Sequence, residues 1–248
     1  MLEDMKNLQT DYYSIPAELL IAELSKVSID ENIIDIANKL FDWNYVLDKN
    51  SLEAGIYIQW EREIMNYFYM FYVPEEVINL LYVQLYTIIK KIKSLKIDEK
   101  TKFLNQTLIT AINKLNKKFG NDSKKWIYGQ KNYKHVKIKH PLEDIVSDSI
   151  KKILEFDVYP RSGNMFTPGS TGYYLNQTSG ATFRVIIDTK DWDNSVATNS
   201  PGQSGNPESP FYRNLYETWA NDQYFKLLYS RKEVISHLYK KSTYHPKK

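Results

Sequence analysis

Through the first half of the chain, apolar residues recur three and four positions apart, the spacing that lines one face of an α-helix. Pro16-Ala-Glu-Leu-Leu-Ile-Ala-Glu-Leu24 predicts a first such helix. Ser28-x-x-Glu31 reads as a capping box ahead of a second, with Ile33, Ile34, Ala37, Leu40 and Phe41 on one face. Asn50-x-x-Glu53 opens a third, running through Ile56, Trp60, Ile64 and Phe68 to about Tyr72. Pro74 suits the first turn of a fourth, through Val77, Leu81, Leu85, Ile88 and Ile92. A fifth runs from about Thr101 through Leu104, Leu108, Ile112 and Leu115 to Phe119, and Gly120 closes it. The aromatic run Tyr67–Tyr72 invites comparison with a ligand cage, but at this spacing it is read as core packing on two sides of one helix.

Beyond Asn121 the period changes. Tyr133, His135, Lys137 and Lys139 alternate with Lys134, Val136 and Ile138, which predicts a strand with one apolar face. Asp144–Phe156 returns to helical or irregular spacing, and a polar, glycine-containing stretch fills Arg161–Gly180. In Thr182–Asp188, Phe183, Val185 and Ile187 share one face and Ile186 adds to the other, predicting a strand buried at least on one side. Lys190–Asn194 has turn composition, and Ser195–Thr198 is placed as the hairpin partner. Helices first and strands later give an α+β class, with a helical region over 1–125 and a strand-rich region with C-terminal helices over 126–248.

Charge sharpens this division. Residues 1–85 carry a net −10, residues 86–140 a net +12, and the remainder +1, within an overall +3. A basic stretch fits a nucleic-acid partner. This one is built of lysine without arginine and lacks any RNA-binding or helix-turn-helix signature, so no nucleic-acid partner is expected. Lysine is read instead as a solvent-side residue, with the acidic half packed against the basic one. The 248 residues, 42% hydrophobic and 25% charged, suit a globular chain with a sizeable core. No apolar run approaches the roughly 18–20 residues that span a bilayer, and the acidic, polar start is not a signal peptide, so no membrane partner is expected. With no cysteine, thiolate chemistry and Cys-ligated zinc are excluded, while the redox compartment stays open.

The four histidines, His135, His140, His237 and His245, form no metal-binding pair, and His140 before a proline reads as a turn residue. Asp188, Asp191 and Asp193 have the spacing of calcium ligands but lack the loop glycine and bidentate glutamate, which favours a solvated turn. There is no G-x-S-x-G elbow, P-loop or dinucleotide-binding fingerprint. No catalytic residue, cofactor site or metal site is identifiable.

The least ordinary stretch is Asn199–Tyr212, with three prolines, two glycines and no aliphatic side chain. Pro201, Pro207 and Pro210 exclude a helix or central strand, and Gly202 and Gly205 allow positive φ or close backbone approach. By composition alone this is a surface loop. Its order says more. Gly202-Gln203-Ser204-Gly205-Asn206-Pro207, then Ser209-Pro210-x-Tyr212 and Trp219, resembles the C-terminal signature of the penicillin acylase family of N-terminal-nucleophile hydrolases. Gly180–Asp188 resembles the strand before that signature, and Trp126-Ile-Tyr-Gly129 with His140-Pro-Leu142 resembles the family's Trp-x-x-Gly and His-Pro-Leu segment. Asp4–Ser14 and Leu40-Phe-Asp-Trp43 also read like its β-chain. The likeness is densest from Trp126 to Glu233. Departures are Phe211 for the usual histidine, Asn214 for the usual aspartate, and Lys226-Leu227 for Pro-Leu.

The resemblance implies the C-terminal part of a β-chain, completing part of an αββα core, in an enzyme that cleaves linear amides to release an acyl group. In that family the nucleophile is a serine made N-terminal by autoproteolysis, whose own amine is the base. That machinery lies upstream of the segment resembled, and Gly169-Ser170 lacks the family's Asn-x-Trp processing context. The chain alone is therefore expected to be inactive, with the serine-bearing upstream segments as its partner and a small acyl amide as substrate of the complete enzyme. Family members bind a structural calcium, for which no site is identifiable here. The signature residues are expected to be structural, with Gly202 or Gly205 in a backbone conformation that other residues disfavour and Trp219 buried nearby. The alternative is a stand-alone, non-catalytic homologue or binding module.

Overall fold

The computed structural model describes residues 2–172 and 175–246. Its helices are α1 (Leu2–Gln9), α2 (Ile15–Leu24), α3 (Ile34–Phe41), α4 (Leu52–Tyr72), α5 (Leu85–Ser94), α6 (Ile97–Phe119), α7 (Asp148–Leu154), α8 (Tyr216–Ala220) and α9 (Arg231–Ser236). The strands are β1 (His135–Val136), β2 (Tyr159–Pro160), β3 (Arg184–Ile186), β4 (Val196–Thr198) and β5 (Phe225–Lys226). The class is α+β, and well over half of the first 120 residues are helical. Strands β1, β3 and β4 lie within runs read as strands, whereas β2 and β5 fall outside them. The strands form an antiparallel pair, β1–β2, and an antiparallel three-stranded sheet in the order β3-β4-β5. The chain divides into two compact units, a larger one of residues 11–138 and 157–180 and a smaller one of residues 1–10, 139–156 and 181–248.

In the larger unit, the core is helical. Leu20, Leu24, Ile56, Tyr57, Trp60 and Leu104 are fully buried, and α4 and α6 form its main helix pair. Ser14 caps α2, its hydroxyl accepting from the Ala17 amide at 3.2 Å. The caps of the next two helical segments fall elsewhere than expected. Asp30, not Ser28, accepts from the Asn32 amide, because an aspartate two residues closer to the turn reaches the free N–H directly. Ser51, not Asn50, caps α4 by accepting from the Ala54 amide at 3.0 Å.

The helix expected from Pro74 is broken. A single 3-10 turn covers Glu75–Val77, and α5 begins only at Leu85. Leu80, Leu81 and Tyr82 are exposed there, so no core holds that stretch in a continuous helix, and packing rather than propensity decides helix extent. In the aromatic run, Phe68 is buried and stacks on Tyr72, and Tyr67 packs on Phe103, but Met70 and Phe71 are 72% and 60% exposed. Core packing therefore describes only part of the run.

Gly55 sits near the start of α4, where a side chain would collide with backbone. A Cβ there would lie 1.9 Å from the Trp126 carbonyl oxygen. The 126–129 segment crosses the helix at this point, held by Tyr128 N–H to the Ser51 carbonyl at 3.0 Å and Gly129 N–H to the Lys49 carbonyl at 2.6 Å. The Tyr133 hydroxyl donates to the Gly55 carbonyl itself.

The expected pairing of acidic and basic halves is present in this unit. Glu23 meets Lys100 at 2.5 Å with both side chains buried, and Glu63 meets Lys114 at 2.7 Å. Glu61 has no such cationic partner among the described residues. It is 7% exposed, receives the Tyr57 hydroxyl at 2.5 Å, and burial raises its carboxyl to about pH 7 against the opposing pull of that hydrogen bond.

In the smaller unit, the strand around β3 is buried on one side, as expected, and the side that packs is that of Ile186. Arg184 and Ile186 are buried, whereas Phe183 and Ile187 are 56% and 47% exposed. The apolar triplet faces away from the packed side because Arg184 is drawn inward, its guanidinium meeting the Asp222 carboxylate at 2.5 Å and the Trp219 carbonyl at 3.3 Å. Helix α1 lies along β3, with the Gln9 side-chain amide donating to the Val185 carbonyl.

Two outcomes are expected. Gly55→Ala should lower unfolding stability by about 2–4 kcal/mol in a denaturant titration. The clash with fixed backbone outweighs the roughly 1 kcal/mol that alanine gains within a helix. For Glu61, the folded carboxyl titrates above the unfolded one, so its cost is absent below about pH 4.5, grows up to about pH 7 and is constant above. Glu61→Gln should therefore raise stability by about 2 kcal/mol at pH 8 and leave it unchanged near pH 4.5.

Candidate functional site

The signature loop lies within the smaller unit, after β4. A cis peptide joins Ser200 and Pro201. Neither Gly202 nor Gly205 has positive φ; among the glycines described that conformation belongs to Gly120, Gly163, Gly172 and Gly180. The expectation of an unusual glycine backbone in the loop is thus corrected. At Gly202 the requirement is closeness, since a Cβ would lie 2.3 Å from the Phe211 oxygen and 2.6 Å from that of Tyr212. Gly205 is open, with no atom within 4 Å of where a Cβ would stand.

The loop holds itself in place. Gln203 and Ser204 N–H both donate to the Phe211 carbonyl, at 2.9 and 3.1 Å, across the space Gly202 leaves free. The Ser204 hydroxyl accepts from the Asn206 amide, the Asn206 side chain from the Glu208 amide, and the Ser209 hydroxyl from the Phe211 amide. Pro207 and Pro210 fall between these acceptors and have no N–H to satisfy. The Leu215 amide returns to the Pro201 carbonyl at 3.1 Å and closes the loop onto α8.

Beneath it stands a buried aromatic column. Tyr212 stacks on Phe156 with ring centres 5.5 Å apart, Phe156 touches Tyr216 at 5.1 Å, and Tyr216 stacks on Trp219 at 6.1 Å. Trp219 is 1% exposed, as expected, and its indole N–H donates to the Ala181 carbonyl at 2.8 Å. Burial raises the Tyr212 phenol. The ten signature residues thus form one connected turn and its anchor, and the hydroxyls of both signature serines, Ser204 and Ser209, are occupied as acceptors for backbone N–H.

Other candidates resolve individually. The His140 imidazole accepts from the Leu142 amide, the role of a turn residue. Asp188 accepts from the Lys190 and Asp191 amides, Asp191 from Asp193, and Asp193 from Tyr229 and Ser230. Asp188 and Asp191 are turn acceptors and Asp193 ties the turn to the segment before α9, and no group of metal-ligating side chains occurs among the described residues. His237 touches the neighbouring Ser236 hydroxyl at 2.9 Å on exposed α9, where its Nδ1 also faces the Glu233 carbonyl. Both contacts are local to the last turn of that helix, and neither brings in a carboxylate that would orient the ring as a base.

A polar cluster in the larger unit escaped the sequence reading. Lys134 is completely buried, its amine donating to the Thr171 carbonyl. Burial, with the neighbouring Arg161 charge, lowers it to about pH 7. Arg161 is 2% exposed and donates to the Gln177 side chain at 2.9 Å. His135 is lowered as well, mainly by burial. The strand here is buried on both faces rather than one, because residues 157–180 close over its second side: Gln177 N–H donates to the His135 carbonyl, and Lys137 N–H to that of Gln177. The signal available in the sequence was Lys134 on the face shared with Val136 and Ile138. An amine lowered this far has the chemistry of a base, but a fully buried one has no access to substrate, so its role is internal.

The comparisons with known proteins agree with this geometry. The penicillin amidase family matches residues 1–236. The acyl-homoserine lactone acylase QuiP of Pseudomonas syringae pv. syringae (strain B728a) is 27% identical over 139 residues, covering 54% of this chain and 16% of that protein. The thermostable penicillin G acylase from Alcaligenes faecalis superposes with a TM-score of 0.54 at 14% identity, covering 96% of this chain and 47% of that one. The chain thus spans less than half the length of either relative, and it shares the fold of the second. Its 248 residues belong to the penicillin amidase family.

Proposed function

We propose that this chain is the C-terminal portion of a penicillin-acylase-type amidohydrolase, which cleaves a linear amide to an acyl acid and an amine. The observation that carries the reading is the family match over residues 1–236. The self-bonded loop supports a scaffolding role, since Ser204 and Ser209 are committed to backbone N–H groups. The nucleophile is a serine outside these residues. Its α-amine takes the hydroxyl proton, the oxygen attacks the amide carbonyl, the amine departs with a proton, and water releases the acid from the acyl-enzyme.

The smaller unit also offers a surface for that partner segment. Strand β3 pairs only with β4 among the strands described, and Phe183 and Ile187 present an exposed apolar face beside it. The serine-bearing segment covers this face in the complete enzyme. Gln9 already occupies the Val185 carbonyl, so the apolar face, more than the edge, is what association hides.

The test offers chromogenic phenylacetyl, phenoxyacetyl and long-chain acyl amides to the purified chain, alone and co-expressed with a serine-bearing acylase segment. The expected result is no turnover alone and turnover in the complex, abolished by replacing the N-terminal serine with alanine. Phe183→Asp should weaken association at least about tenfold, a loss of about 1.4 kcal/mol. Turnover by the chain alone overturns the reading. A stable complex without activity would instead favour a non-catalytic homologue.

A further inference from the structure

A cavity of the larger unit has no part in the site above. It holds about 850 Å³ between the C-terminal half of α4, the facing side of α6 and the turn that follows Pro74. That size suits a small organic ligand. Its floor is polar and occupied. Glu63 is buried and takes the Lys114 amine at 2.7 Å and the Gln59 amide at 2.6 Å, while the Thr107 hydroxyl receives the Trp60 indole N–H at 3.0 Å. Its wall is apolar. Met70, Phe71 and Ile78 line it, and the first two are the large exposed side chains of the aromatic run. Residues 63, 67, 70 and 71 recur at helical spacing along one face of α4, so a single stripe supplies both the charged floor and the apolar wall.

The electrostatics select a sign. Glu63 is matched by Lys114. Glu75, on the 3-10 turn at the rim, adds a second carboxylate, and no ion pair to it occurs among the described residues. The lining therefore carries one more negative than positive group. We propose that this cavity is a binding site for a cationic amphiphile, namely a primary amine on an aromatic or alkyl body. The body lies against Met70, Phe71 and Ile78, and the ammonium faces Glu75. Burying the apolar body removes Met70 and Phe71 from water, and the acidic rim disfavours a carboxylate of the same shape. The proposal is independent of the amidohydrolase reading.

The test titrates the full chain with 4-phenylbutylamine and with 4-phenylbutyrate at pH 7 and low salt, by calorimetry. The amine should bind one site per chain with a Kd below about 1 mM, and the acid at least about tenfold more weakly. Glu75→Gln should shrink that preference to about threefold or less, because the unmatched charge is gone. Phe71→Ser should weaken the amine about fivefold or more; Phe71 also touches the Tyr67 ring at 4.3 Å, so the variant is checked for an unchanged circular-dichroism spectrum at the titration temperature. Methyl NMR gives a second readout, with the Met70 methyl resonance moving on addition of amine. Non-saturating heats, equal affinity for amine and acid, or an unmoved Met70 resonance overturns the proposal. So does a dimer that forms without amine and disappears with Phe71→Ser, which would assign the wall to a second copy.

Discussion

The larger unit depends on a helix touching a backbone carbonyl with nothing between them. At Gly55 the 126–129 segment reaches a distance from α4 that no side chain permits. Tyr128 and Gly129 then bond the carbonyls of Ser51 and Lys49 at the start of that helix, and Tyr133 anchors back on Gly55. The position of β1 follows, and with it the 157–180 segment, which pairs with β1 and closes over Lys134. Gly129 repeats the device from the other side, since a Cβ there would lie 2.7 Å from the Lys49 carbonyl oxygen. Two glycines far apart in sequence thus fix a single crossing, on which the polar cluster is built.

Much of this was legible in the chain. The helices followed from apolar spacing, and the hairpin of β3 and β4 from a turn flanked by strand-forming residues. What was misread had a common cause, competition that sequence spacing does not record. Ser28 and Glu31 had the form of a cap, but Asp30 was nearer the free N–H. Which side of the 182–188 strand is buried was not legible, and it is the side of Ile186 and Arg184, whose guanidinium meets Asp222. Arginine goes inside when its guanidinium can be met by a carboxylate and a carbonyl, and Asp222 is 38 residues from Arg184.

The signature loop shows the same division between order and geometry. Its residue order identified the family, because few other constraints produce that string. Its geometry was less predictable, since the two glycines look alike in sequence. One sits against two carbonyl oxygens and the other faces open space. The prolines are placed where no amide is needed, and the asparagine and serines supply acceptors that strands or helices would otherwise provide. The loop is therefore held in one shape without regular secondary structure.

Glu61 and Lys134 lie in the same unit and are buried without an opposite charge in ion-pair contact among the described residues. Both titrate near pH 7, one raised and one lowered. Their costs run in opposite directions. Ionised Glu61 weighs on the folded state increasingly from about pH 4.5 to 7. The cost of keeping Lys134 inside is full below about pH 7 and lifts only as the pH climbs from there to about 10.5. Near neutrality both penalties are close to full. These two side chains alone would carve a shallow valley into the pH–stability curve where most proteins have a plateau. Their joint contribution to the stability of the helical unit is therefore smallest near neutral pH.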